Sequence, residues 1–366
     1  MWDAGSLRSC SRRSFLALIP ASCCAAAKTV VPAAGFRYND PSTEFPVLRL
    51  TDPAHTSRLP AHFQRAITRR NNYLLYTSDF SGSVAAYRMD LKTGVSQPLA
   101  EGEEIHPLSL TFTADERSIC YLAGGRLIVE NVSNSRTRQV YRVPDGLQAT
   151  AMSVAGDGLY AALIERKGAA HRLRLIRMAD GTAATLAEAA EEMSDPIPRP
   201  RRASILYRRG NGLWLANYDG QRNAALRLAE GGAAAALWSP DGRSVFYLNY
   251  PSDGRRLHNL RECVPDSNED RPVADTTQYV CFERNPDATV FVGASGSKAS
   301  PHVLLLARAV KRELTLCEHR ASDPAMVSPI FAPNSQHVYF VSDQHGKPAI
   351  YSIAVEKFVS ETDSTN

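Results

Sequence analysis

Trp238-Ser239-Pro240-Asp241-Gly242, followed by Ser244-Val245-Phe246-Tyr247-Leu248, is the stretch on which the fold turns. Pro, Asp and Gly are turn formers for separate reasons: a fixed φ, a side chain that bonds its own backbone, and tolerance of positive φ. The run behind them is β-branched and aromatic enough for a buried strand. Phe331-Ala332-Pro333-Asn334-Ser335 before His337-Val338-Tyr339-Phe340-Val341 repeats the pattern. Fainter copies are Thr113-Ala114-Asp115-Glu116 before Ser118-Ile119-Cys120-Tyr121-Leu122, and Asn285-Pro286-Asp287 before Thr289-Val290-Phe291-Val292. Three more follow Asn71, Gly156-Asp157-Gly158 and Pro200.

Anchored at positions 71, 115, 157, 201, 241, 287 and 334, the copies are spaced by 44, 42, 44, 40, 46 and 47 residues. A period in the forties, with turns and short strands inside each unit, is that of four-stranded propeller blades. The chain is therefore expected to be all-β, a seven-bladed β-propeller over residues 45–356. Phe45-Pro46-Val47-Leu48-Arg49-Leu50 is the strand expected to close the ring by pairing into the last blade. A six-bladed ring competes, because the fourth unit is degenerate. Thr185 to Met193 reads as helix-like, ending at Pro196, Pro198 and Pro200, and is expected to be an insertion between blades. Residues 28–44 are assigned to a lead-in and 357–366 to a disordered tail.

Residues 1–27 read as an address. Ser11-Arg12-Arg13-Ser14-Phe15-Leu16 has the twin-arginine pattern, and a mainly apolar run from Phe15 ends in Ala25-Ala26-Ala27, a small-residue stretch of the kind signal peptidase cuts. Its 13 residues fall short of the roughly 20 that span a bilayer. The expectations are a mature start at Lys28, a periplasmic or secreted protein, and no stable membrane span. Removing the leader leaves 39 Lys and Arg against 37 Asp and Glu. Near-neutrality argues against a nucleic-acid partner, which would draw a basic excess. Cys120, Cys263, Cys281 and Cys317 remain, too few for a disulfide scaffold and without zinc spacing; a Cys263–Cys281 bond is the one conceivable pairing.

No nucleophile elbow, phosphate loop or His-Glu-x-x-His pattern occurs, and no two of the nine histidines form a close pair. The most unusual charge cluster is Arg199, Arg201, Arg202, Arg208 and Arg209. Arginine forks bind carboxylates bidentately, so the cluster suits an acidic sugar, and equally a blade edge kept from pairing by its charge. His319 and Arg284 precede strands of the last two blades. Arg284, His319, Arg201 and Arg202 are therefore the candidate substrate-binding residues.

Asn285-Pro286-Asp287-Ala288-Thr289-Val290-Phe291-Val292-Gly293, Leu316-Cys317-Glu318-His319, Ser328-Pro329-Ile330-Phe331-Ala332-Pro333-Asn334 and Val341-Ser342-Asp343 resemble the oligogalacturonate lyases. Arg49-Leu50-Thr51, Tyr76-Thr77-Ser78-Asp79 and Tyr87-Arg88-Met89-Asp90-Leu91-Lys92-Thr93-Gly94 agree. The resemblance implies a seven-bladed propeller that breaks pectin-derived oligogalacturonate or a related acidic oligosaccharide by β-elimination. A base removes the C5 proton of a uronate while a divalent metal, typically manganese, held by three histidines and a glutamine, neutralises its carboxylate. A further histidine is the base and an arginine assists. Carried onto this chain, the metal positions fall at Cys281, Asp323, Met326 and Ser328, the base at Ala235 and the arginine at Gly212. The family's ligands and base are thus not preserved. No metal or other cofactor is expected, no catalytic residue is assigned, and a non-catalytic module binding uronate-rich glycans or a protein partner is the alternative.

Overall fold

The computed structural model describes residues 30–99 and 104–363. The expected leader at 1–27 lies outside the described residues. Seven antiparallel sheets follow one another along the chain. Blade one comprises Ser57–Arg58, Tyr73–Ser78, Ala85–Asp90 and Ser96–Pro98; blade two Thr111–Phe112, Ser118–Ala123, Arg126–Asn131 and Thr137–Arg142. Blade three is Gln148–Val154, Tyr160–Lys167, Ala170–Arg177 and Ala183–Ala189; blade four Met193–Pro198, Ser204–Arg209, Gly212–Asn217 and Asn223–Ala225. Blade five is Gly232–Trp238, Val245–Tyr250, Asn259–Val264 and Glu269–Asp275; blade six Tyr279–Arg284, Val290–Ser295, His302–Ala307 and Arg312–Glu318. Each begins with its innermost strand.

The motif that fixed the period is the hairpin between first and second strands, and it recurs with one geometry. The Ser239 N–H donates to Ser244 O (2.8 Å), that of Gly242 to Ser239 O (2.9 Å), and Asp241 Oδ1 accepts from the Arg243 N–H (3.0 Å). Gly242 has φ 70°, and a Cβ there would meet Pro200 O at 2.4 Å, so glycine is required. The left-handed fourth position is filled by Asn71, Glu116, Gly158, Ala288 and Ser335 in five other blades. Blade four differs, with Arg201 left-handed one residue earlier. Its unit reads as degenerate in sequence because its turn is a variant, while its four strands are intact.

Blade seven closes the ring. Ile330–Phe331, His337–Ser342 and Ala349–Ala354 come from the C-terminal end, and Pro46–Arg49 pairs onto the last of them, Val47 opposite Ile353. The lead-in does more than expected: Phe36–Asn39 adds a fifth, outermost strand. Seven apolar clusters then fill the seven spaces between neighbouring blades, from Leu75, Phe112 and Ile119 between blades one and two to Val292, Phe340 and Tyr351 between six and seven. A sheet with two apolar faces cannot bury both alone, so each blade depends on both neighbours.

Two expectations are corrected. Thr185–Met193 is not a helical insertion: Ala183–Ala189 is the outer strand of blade three and Met193–Pro198 the inner strand of blade four. Alanine and glutamate favour a helix, but a short isolated one is marginal in water. The ladder to Ala170–Arg177, with Leu186 and Ala187 buried in the space beside blade four, overrides that preference. The tail expected to be disordered is helical over Glu356–Asp363. Val359 is buried against blades six and seven, and the Phe358 ring stands 5.1 Å from that of Phe45. Residues 364–366 lie outside the described residues. Among the described residues no helix is long and apolar enough to cross a membrane.

Ring closure gives a direct test. Val47 is fully buried while Leu48 on the same strand is exposed. Val47→Ala is expected to destabilise by about 1–3 kcal/mol and Leu48→Ala by no more than about 0.5, read by denaturant unfolding.

Candidate functional site

Inner strands line the central channel, and their polarity defines two ends. The hairpins between second and third strands and the connections between blades lie at one, called the upper end here. The hairpins between first and second strands lie at the other, the lower end. Blade one departs from the common pattern. Ser57 pairs with Ser78 and Arg58 with Thr77, yet the next bridge joins Ile67 to Leu74, so six extra residues leave the ladder between them. They enter the channel. The Ala61 N–H donates to Leu108 O (3.1 Å), His62 Nε2 lies 3.3 Å from Ala236 O, and Gln64 Nε2 donates to Met152 O (2.5 Å). Phe63 packs against both apolar clusters that flank blade five. One segment of blade one thereby reaches blades two, three and five across the channel.

At the upper end three of the carried-over positions, Cys281, Asp323 and Ser328, are brought together, while Met326, Ala235 and Gly212 lie in separate surroundings. The Cys281 thiol donates to Pro324 O across 3.8 Å, beside Ser328 and Asp323, and burial first, then the Asp323 charge, pushes it up to about 12. Asp323 caps the short turn Pro324–Met326 by accepting from the Ala325 N–H (3.0 Å). Met326 packs into the core between blades one and seven. Ala235 lies half-buried beside Tyr250, and the Asn211 carbonyl next to Gly212 accepts from the Ala233 N–H (3.0 Å). Manganese would need oxygen or imidazole donors. A protonated buried thiol, a thioether turned into the core, one hydroxyl and one capping carboxylate do not fit it. Among the described residues no three His, Cys, Asp or Glu side chains are grouped to hold a metal ion.

A second group at this end joins Arg208, one of the clustered arginines, to residues that no sequence motif marks. Arg208 Nε donates to Ser194 Oγ (2.9 Å) and lies 3.4 Å from Asp195 Oδ2, while Asp195 sits at φ 50° within a bulge. His62 feels both charges, and its burial lowers its pKa and keeps the ring neutral at pH 7. Tyr250 stands between Cys281 and Arg208, its phenol pushed up to about 12 chiefly by burial. His62 escapes a sequence reading because its segment belongs to no repeat.

The candidate residues do not form one site. His319 is fully buried at the upper end, with Nε2 3.0 Å from Ser295 O and Nδ1 accepting from the Ala321 N–H (3.1 Å), so both nitrogens are committed to the backbone. Arg284 lies at the lower end, donating to Trp238 O (2.8 Å) and Asn285 O (3.1 Å). Arg201 and Arg202 are in the lower hairpin of blade four. Arg202 pairs with Asp266 (2.8 Å), which also takes both ends of the Arg199 fork (3.2 and 2.8 Å), while Arg199 stacks 4.8 Å above Trp238. Arg209 pairs with Glu191 (2.8 Å) and covers Trp214. Four of the five clustered arginines thus have carboxylate partners, Arg199 and Arg202 sharing Asp266. The four cysteines are all buried and free, which removes the Cys263–Cys281 pairing.

Glu283, next to Arg284, is the most perturbed carboxyl. Burial pushes it up to about 8, opposed by the Phe331 N–H bonded to Oε2 (2.6 Å) and by Arg284. That favours its neutral form near pH 7.

What the geometry defines as a class is a seven-bladed propeller with unlike ends and a channel crossed by a segment of blade one. No protein-family model matches the chain. In sequence it is 23% identical over 374 residues to an oligogalacturonide lyase of Pectobacterium atrosepticum, spanning 88% of this chain and 96% of that one. It is 22% identical over 367 residues to an oligogalacturonate lyase of Dickeya dadantii, spanning 86% and 94%. In structure it matches a solved oligogalacturonate lyase in complex with manganese with a TM-score of 0.84, at 23% identity, over 89% of this chain and 97% of that chain. The chain therefore has homologues among the oligogalacturonate lyases, by sequence and by structure, as the motifs of blades six and seven indicate.

The state of Glu283 has a measurable consequence. A carboxyl whose folded pKa lies above its unfolded value stabilises fully below the unfolded pKa of about 4.3, and that contribution is lost as pH rises through the folded value near 8. Glu283→Gln is expected to gain melting temperature relative to the parent protein between pH 5 and pH 8.5. A difference between the two that does not change over that range would show that the carboxyl is ionised throughout.

Proposed function

We propose that this protein is an exported relative of the oligogalacturonate lyases that recognises oligogalacturonate or a related acidic oligosaccharide without manganese-dependent elimination. The observation that carries this reading is the donor set at the upper end. Cys281, Asp323, Met326, Ser328, Ala235 and Gly212 stand where the resemblance places four metal ligands, a base and an arginine. Elimination beside a carboxylate needs concentrated positive charge on that carboxylate and a base near C5. Removing one such electrostatic group typically costs about a hundredfold or more in rate, and this chain lacks the whole set.

Recognition is a smaller demand than catalysis. Arg208 and the Tyr250 hydroxyl, beside the carried-over positions, are a cation and a hydrogen-bonding group suited to a uronate. Neutral His62 next to Arg208 also gives the one combination at this end that could support elimination by another arrangement, a base beside a cation. The family-like motifs support the substrate class, and the leader at residues 1–27 supports export to the periplasm or beyond.

The test incubates di- and trigalacturonate with the purified protein, plus manganese or plus chelator, while following absorbance of the unsaturated product; trigalacturonate binding is measured by calorimetry. The expected result is saturable binding with no manganese-dependent product. Turnover abolished by chelator and restored by manganese would overturn the reading. Turnover indifferent to chelator but lost in His62→Ala and Arg208→Gln would assign the reaction to that pair. Absence of binding to any uronate would favour a module for a protein partner.

A further inference from the structure

The lower end of the channel holds a set of polar groups that the function proposed above does not use. The inward segment of blade one brings Gln64 and Arg65 against Glu283 and Arg284 at the end of the inner strand of blade six. These four line a cavity of about 280 Å³ and also an adjoining hollow of about 460 Å³. Trp238 closes one side of the smaller space.

Arg65 Nη1 donates to Thr113 O (2.9 Å), and Arg284 donates to the Trp238 and Asn285 carbonyls. All these acceptors are main-chain oxygens, and each guanidinium keeps further N–H groups for another partner. Carboxylates act from nearby, Glu116 on Arg65 and Glu283 and Asp287 on Arg284, yet neither arginine bonds one directly. Burial disfavours the charged form of both, and half-buried cations without a direct ion pair favour a further anionic partner. Burial raises Glu283 to about 8, which weakens it as a counter-charge at neutral pH. Gln64 spends its amide N–H on Met152 O and leaves its carbonyl oxygen as an acceptor.

We propose that the lower end of the channel, in the cavity that Gln64, Arg65, Glu283 and Arg284 line and that His62 borders on its upper side, is a binding site for a small sugar acid. One carboxylate suits the two guanidinium forks, and neighbouring hydroxyls suit the Glu283 carboxyl and the Gln64 oxygen. The volume lies near the lower bound of small-molecule sites and admits a monosaccharide. This site stands independently of whether the upper end binds an oligosaccharide or turns it over.

The site is tested by titrating the protein with galacturonate, and with acetate as a carboxylate without hydroxyls. Trp238 fluorescence and calorimetry are the readouts. Saturable galacturonate binding at pH 7 is expected, tighter than acetate, and weakened at least tenfold in Arg65→Gln and in Arg284→Gln. Arg202→Gln removes the same charge from the same end but outside the cavity, and is expected to leave affinity unchanged. The charged groups around Glu283 are Arg284 on its own strand, with Asp287 beyond it in the same hairpin, and Arg65 and Arg69 on the blade-one segment, with Glu116 of blade two acting on Arg65; blade seven presents the Phe331 N–H. Above pH 8 the ionised Glu283 competes with the ligand for these arginines, so affinity falls, and Glu283→Gln removes that fall. Arg284 also holds two carbonyls, so should its variant unfold, Arg65→Gln decides. No saturable galacturonate binding, acetate bound as tightly, or parental affinity in folded Arg65→Gln would each overturn the proposal.

Discussion

The antiparallel pairing of Pro46–Arg49 with Ala349–Ala354 is the contact on which the rest of the molecule depends. The seven apolar clusters between blades form a closed circle, and each is complete only if the next blade is in place. Opening the ring would leave one face of blade seven and one of blade one in water together. The strand from the N-terminal side makes the last blade from both parts of the chain, and Phe36–Asn39 covers what would be its outer edge. The helix Glu356–Asp363 then lies over the blade six to seven space, on top of the closure.

The closed ring gives the channel fixed walls, and the blade-one segment uses them. Its contacts are mainly hydrogen bonds to main-chain groups of other blades, at Leu108, Ala236 and Met152. Main-chain acceptors on inner strands barely move, so the segment is held by the scaffold rather than by mobile side chains. Residues 59–66 in turn place His62 toward the Asp195–Arg208 pair and Arg65 toward Glu283 and Arg284. One insertion thus supplies a side chain to each end of the channel.

The seven blades were legible because what specifies them is local. A turn residue with positive φ recurs in each unit, joined in blades two, three, five, six and seven by an Asp or Asn that bonds the backbone two residues on, and each acts within a few residues. Thr185–Met193 was misread for the converse reason: its local preference is helical, and only the ladder to Ala170–Arg177 and the core around Leu186 make it a strand. The candidate residues failed at a longer range. Arg284 and His319 both flank strands in neighbouring units, and sequence alone does not say that one lies at the lower end and the other is sealed at the upper end. Arg202 looked available until Asp266, 64 residues away, supplied its partner. The identities at the carried-over positions, Cys281, Asp323, Met326, Ser328, Ala235 and Gly212, were legible, because reading them needs no knowledge of the fold.

The two ends differ in how they handle charge, and the difference follows from which groups are buried beside the arginines. At the upper end Arg208 pairs with Asp195, so its charge is answered by a direct contact within the protein, and a neutral imidazole sits alongside. At the lower end burial raises the carboxyl next to Arg284 to about 8, and the two guanidinium groups bond only main-chain carbonyls, with Glu116 and Asp287 acting from further off. A carbonyl offers a partial charge where a carboxylate offers a full one, so these guanidinium groups gain from a direct contact with an anion. The same burial that makes Glu283 a poor counter-ion makes it a hydrogen-bond donor at neutral pH. An end whose donors do not fit manganese and an end whose arginines bond only carbonyls can therefore coexist on one scaffold, because the blade-one segment supplies a different side chain to each.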